Sequence, residues 1–142
     1  MSLLDKICQA LIKMIRRREK RVLVWTNASP TSKFTKQTLT VDFSDLTPGR
    51  DMVAIEAAIN NVADSGTTTF VGTFINGKRG LRLGFNYGGN SKIIGYYRSV
   101  AFTSDTKLTI NNGYTASAAQ DSQDDEKCIP LRIFKIFGGG TS

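Results

Sequence analysis

Apolar and polar positions follow two different rhythms along this chain, and the change comes near residue 22. With residues placed ~100° apart, Leu3, Leu4, Ile7, Cys8, Leu11, Ile12, Met14 and Ile15 fall on one half of a helical wheel. Asp5, Lys6, Gln9, Lys13, Arg16 and Arg17 fall on the other half. This rhythm predicts an amphipathic helix that stops near Arg17, because Arg18 would return to the apolar side. Ser2-Leu3-Leu4-Asp5 has the Ser-x-x-acid form of a helix start, with Ser2 placed to cap the free amides.

From residue 22 onward the period shortens to two. Leu39, Val41 and Phe43 alternate with Thr40 and Asp42, the pattern of a strand with one face buried. Strands are expected at residues 22–25, 39–43, 51–59, 67–75, 81–85, 92–103, 107–110 and 129–137. Residues 51–59 would suit a helix or a strand, and their shortness and strand neighbours decide for strand. Turn chemistry punctuates these runs at residues 26–32, 47–50, 87–91 and 104–106, and at Asn112-Gly113. Asn76-Gly77, between two alternating runs, predicts a tight hairpin. Residues 114–127 are small, polar and acidic, which predicts a surface loop. The pattern as a whole predicts a mainly β fold: an N-terminal amphipathic α-helix within residues 1–21, one β-sandwich or jelly-roll-like body over residues 22–137, and a frayed tail at 138–142.

Composition changes this picture in one respect. The 142 residues suit a single domain, and the net charge of +7 is unevenly placed. Residues 1–37 carry nine Lys/Arg against two Asp/Glu, whereas residues 38–142 carry ten of each. Arg16, Arg17, Arg18, Lys20 and Arg21 point all round a helix axis, so they form a basic collar rather than a groove-reading stripe, and nucleic acid is not the expected partner. Leu4, Ile7, Leu11 and Met14 match coiled-coil positions over two heptads, and with Ile15 they are the candidate anchor or oligomerisation surface. The helix could pack on its own body or on another chain, and a leader ending in a charge run favours the other chain. No run approaches the ~18 apolar residues of a membrane span. The basic residues follow the apolar part, opposite to a signal peptide, so the chain is expected to begin at Met1.

The same inventory removes most chemistry. The chain has no histidine, which excludes Ser-His-acid triads and His-ligated metal sites. Residues 72–79 nearly spell a phosphate-binding loop, but Arg79 stands where a hydroxyl should hold magnesium, and no helix pattern follows. Asp121, Asp124, Asp125 and Glu126 lack the spacing of a calcium loop. Cys8 and Cys128 make neither a disulfide framework nor a metal spacing. Trp25, Tyr87, Tyr96, Tyr97 and Tyr114 suit core and strand faces better than a sugar-binding face. No catalytic residue, metal or cofactor is expected, and the chain does not read as an enzyme.

Three stretches stand out as a set: residues 23–32 (LVWTNASPTS) with Phe34 and Gln37-Thr38, then Tyr97-Arg98-Ser99-Val100, then residues 128–136 (CIPLRIFKI). The set resembles small structural proteins of tailed bacteriophages and their prophages, in which an opening LWTN-SPTS block pairs with a closing IP--I--I strand. The resemblance covers about residues 22–137 and leaves the leader outside it. It implies a virion component of fibre, tail-tip or head-decoration type, built as a β-domain and often trimeric. Such a protein would be made in the host cytoplasm and held in the virion by other virion proteins. Two classes therefore compete. In one the helix anchors or trimerises and the body is displayed for assembly or host-surface adhesion; in the other the chain is a stand-alone carbohydrate-binding β-sandwich module that takes a host-surface glycan.

Overall fold

In the computed structural model, residues 2–17, 20–74, 80–89, 92–117 and 120–138 are described, with backbone alone at 12–17, 87–89 and 92–94. Helix α1 spans Leu3–Arg17 and ends where the wheel predicted. Its start is a capping box: Ser2 Oγ accepts from the Asp5 amide at 3.1 Å and donates to Asp5 Oδ2 at 2.8 Å.

Ten strands follow among the described residues: β1 Lys20–Thr26, β2 Gln37–Thr40, β3 Met52–Asn60, β4 Thr67–Thr73, β5 Gly80–Gly89, β6 Lys92–Ser104, β7 Lys107–Ile110, β8 Tyr114–Ala116, β9 Ser122–Gln123 and β10 Lys127–Phe137. They form two antiparallel sheets. One has the order β1-β10-β3-β4; in the other β2-β7-β6-β8-β9 run together and β5 pairs with β6. The fold is mainly β and sandwich-like, as the alternation predicted.

Register explains the core. Trp25, Ile133, Ile55 and Phe70 are successive cross-strand partners, so one row across the first sheet points inward. From the second sheet, Leu39, Leu108 and Phe102 form one facing row and Ile110, Val100 and Leu81 another. Phe43, Phe74 and Phe102 meet between the sheets with ring centroids 5.3–5.5 Å apart. The ladder slips between Leu23 and Trp25, and this bulge turns both Val24 and Trp25 towards the core. Pro130 sits inside β10, a central strand, where its missing N–H would cost a ladder bond; a second bulge between Pro130 and Arg132 absorbs it.

Six expectations are corrected. Residues 67–75 and 81–85 do not form a hairpin: β4 pairs with β3, β5 pairs with β6, and the chain crosses between sheets. Phe70 and Phe85 both need the core, and they meet across it edge to face at 5.4 Å. Asn76-Gly77 itself lies outside the described residues. Residues 87–89 of the expected turn at 87–91 belong to β5, which runs to Gly89; residues 90 and 91 lie outside the described residues, and β6 begins at Lys92. The supposed loop 114–127 contributes β8 and β9, since Tyr114, Thr115 and Ala116 extend β6's ladder. Val41 and Phe43 lie beyond the end of β2, although their amides still donate to the Thr106 and Asp105 carbonyls. Lys20 and Arg21 leave the leader and open β1, paired with Phe137 and Ile136.

Gly138 is held rather than frayed, its amide donating to Asp51 Oδ1 at 2.9 Å. Residues 139–142 lie outside the described part.

Candidate functional site

The described side chains of α1, up to Leu11, are all exposed. Leu4 is 69% exposed, Ile7 48% and Leu11 52%. The body does not cover this part of the stripe. Met14, Ile15, Arg16 and Arg17 belong to the helix, but their side chains lie outside the described part, as does Arg18. The collar is divided: Arg16 and Arg17 are the last residues of α1, and Lys20 and Arg21 open β1. Arg21 there lies over the Phe134 ring, 5.5 Å from its centroid.

A row of apolar residues crosses the outer face of the β1-β10-β3-β4 sheet, exposed at its two edges and buried at Ala54. Leu23, Phe134, Ala54 and Val71 are successive partners across its four strands, so their side chains share that face. Leu23 is 49% exposed and Val71 46%. Arg132 ends this face with an ion pair to Glu56 at 2.6 Å. The alternation in sequence placed Leu23 and Val71 on strands, but the row needs the register, which only the folded ladder supplies.

The three stretches singled out in the sequence come together. The Asn27 amide donates to the Leu131 carbonyl and Asn27 Nδ2 to the Pro130 carbonyl, both at 2.8 Å. Arg98, fully buried, projects from β6 into the same region. Its Nε donates to the Cys128 carbonyl at 2.9 Å; Nη1 donates to those of Phe34 at 2.8 Å and Asn111 at 2.6 Å; Nη2 donates to that of Lys127 at 2.9 Å and, at 3.4 Å, to that of Asp125. The guanidinium thus ties the 27–36 loop, the turn after β7 and the start of β10 to one point. Burial pulls its pKa below the ordinary value, opposed by the Asp125 charge. Cys128 adopts a left-handed φ of 52°, which is uncommon outside glycine, and its carbonyl meets Arg98. Gly113 makes room: a Cβ there would fall against the Asp124 carbonyl and within 2.8 Å of Arg98 Nη2.

In comparisons with protein-family models, curated proteins and solved structures, nothing matches this chain.

The acidic residues of the 121–126 stretch shape turns. Asp125 Oδ1 accepts from the Gly113 amide, Asp124 Oδ1 from the Glu126 amide, and Asp121 Oδ2 from the Tyr97 hydroxyl at 2.6 Å. That last bond pushes the Tyr97 pKa up. Among the described residues, no three His, Cys, Asp or Glu side chains gather in metal-holding geometry. Nor is any helix there long and apolar enough to cross a membrane.

Tyr97 stacks on Tyr114 at 5.4 Å and lies under Arg82 at 4.2 Å. Both neighbours compete for the ring faces a sugar would need. Tyr96 takes the Lys127 ammonium 4.9 Å from its ring centroid. Trp25 stands elsewhere, edge-on to Phe34 at 6.2 Å, beside an open cleft. Cys8 is exposed and Cys128 buried, and both are free thiols.

Proposed function

We propose that this chain is a virion structural protein of the tailed-bacteriophage kind. Its helices cluster in a homo-oligomer, a trimer, and its β-bodies are displayed for assembly or host-surface adhesion. The observation that carries the reading is the exposed stripe of Leu4, Ile7 and Leu11 on a helix whose described side chains the body leaves uncovered. Burying a large apolar side chain is worth ~1.5–3 kcal/mol, and these three are about half exposed or more, so covering them contributes several kcal/mol. Two heptads hold a coiled coil poorly on their own. Leu23 and Val71, exposed on the two edge strands of the β1-β10-β3-β4 sheet, give the bodies apolar contacts with which to share that work. Further support comes from the resemblance of residues 22–137 to phage structural proteins. The chain acts by binding, without catalysis and without a cofactor.

The double substitution Ile7→Asp and Leu11→Asp tests this. Light scattering should report a fall from oligomer to monomer mass, with the β-sheet circular dichroism signal retained. A wild-type chain that is already monomeric at high concentration would refute the clustering. The second reading, a stand-alone carbohydrate-binding module, is favoured by the Trp25 cleft, and a monomeric wild type that binds glycans would select it.

A further inference from the structure

We infer that the cleft beside Trp25 is a binding site for an acidic saccharide, a pyranose bearing a carboxylate. The inference rests on the adhesion part of the proposed function and is independent of the helix. The cleft encloses about 300 Å³, at the small end of ligand-site volumes, which suits one sugar unit rather than an extended chain. The part of the half-buried Trp25 that reaches the surface is its apolar wall, with the buried Phe34 behind it, and Thr26, Ser29, Lys33 and Gln37 supply its polar groups.

The wall is held before any ligand arrives. Phe34 is pinned through its carbonyl by Arg98 and through its amide by the Asp125 carbonyl at 3.0 Å. Asn27 spends its Nδ2 on the Pro130 carbonyl and its Oδ1 on the Ser29 amide, both at 2.8 Å, so it fixes the rim and does not read the ligand. Such prior ordering lowers the entropic cost of binding. An indole beside polar groups matches a pyranose ring, which offers an apolar C–H face and a rim of hydroxyls.

The charge of the lining selects among sugars. Among the described residues that line the cleft none is Asp or Glu, the acceptors that sugar hydroxyls need most, whereas Lys33 brings three donors. Lys33 lies 4.0 Å from Glu126 with both side chains largely exposed. A pair of that kind contributes little and leaves the ammonium able to turn to a ligand carboxylate. The lining therefore suits an acceptor-rich, negatively charged ring better than a neutral one.

Trp25 is the only tryptophan, so its indole N–H gives a single cross-peak in a ¹H–¹⁵N NMR spectrum of the full chain. Titration with glucuronate should shift that peak saturably. Glucose and acetate, which test the ring and the carboxylate separately, should shift it at least tenfold less at equal concentration. Lys33→Gln should abolish the preference for glucuronate over glucose, and Gln37→Ala should weaken binding a few-fold; both positions are exposed, so folding is not at stake. The inference is overturned by an indole peak unmoved by glucuronate, by an equal response to glucose or to acetate, or by an unchanged preference in Lys33→Gln. A chain that oligomerises without responding to glucuronate keeps the assembly reading and loses this one; a monomer that responds does the reverse.

Discussion

Arg98→Met should cost ~3–5 kcal/mol of stability, a large share of the ~5–15 kcal/mol typical of a domain. The substitution keeps the apolar stem of the side chain and removes the guanidinium with its donors. Four carbonyls within 3 Å of the guanidinium then lose a partner: those of Cys128, Phe34, Asn111 and Lys127. Hydrogen bonds to a charged group are worth ~1.5–3 kcal/mol each, but they do not add, because water can reach the less buried carbonyls once the side chain has gone. Arg98→Lys should rescue little. Three donors on one nitrogen cannot reach Phe34 on one side and Cys128 on the other as the planar fork does. Urea unfolding followed by circular dichroism measures both variants. If both stay within about 1 kcal/mol of wild type, the view that Arg98 fastens the loops to β10 is wrong.

Gly113→Ala should destabilise by ~2 kcal/mol or more, since its Cβ would meet the Asp124 carbonyl and the Arg98 guanidinium; a wild-type melting temperature would show that this turn can relax. Asp51, fully buried, is held to a pKa of about 2, against 3.8 ordinarily, first by the Arg50 hydrogen bond and further by the Thr47 and Gly138 amides. Its folded pKa is depressed, so its stabilisation is complete above pH ~4 and is lost as pH falls towards 2; an unchanged acid limb in Asp51→Asn would contradict this. Burial raises the Cys128 thiol to about 12, so a thiol reagent at pH 8 should leave Cys128 unmodified in the native chain and modify both cysteines after unfolding. Two fast-reacting thiols in the native chain would refute it. A chain lacking residues 1–17 should keep a cooperative β-rich unfolding transition, because Lys20 opens β1 and the core rows lie wholly in the body; a molten product would make the helix part of the core.

The helix was legible because both of its signals are local. The Ser2–Asp5 box and the wheel depend only on spacing, and the described helix over Leu3–Arg17 follows both. Seven of the eight expected strands were legible for the same reason, and 51–59 resolved as strand although its alanines suit a helix. Pairing was less legible. Asn76-Gly77 suggested a hairpin, but β4 pairs with β3 and β5 with β6, and Phe70 meets Phe85 across the core. The bulges at Val24 and Pro130 left no pattern in the alternation, and they decide that Trp25 faces inward beside its cleft. Arg98 could not be read as buried, because an arginine on an alternating strand looks like any surface cation. Only the fold shows that five carbonyls from distant segments converge on it. The row through Phe134, exposed at Leu23 and Val71, is likewise a property of register, and lies on the face opposite the core.

The most direct test of the central claim uses Gln9→Cys in a Cys8→Ala background, because Gln9 lies on the polar half-wheel and is exposed while Cys128 is buried. A spin label there reports on the helix alone, and pulsed dipolar spectroscopy of the intact chain measures its distance to other chains. Clustered helices predict a defined intermolecular distance, close to the ~8–10 Å between packed helix axes plus the reach of two labels. That distance should disappear with Ile7→Asp and Leu11→Asp. A wild-type chain showing only the featureless background of isolated molecules would contradict the assembly reading.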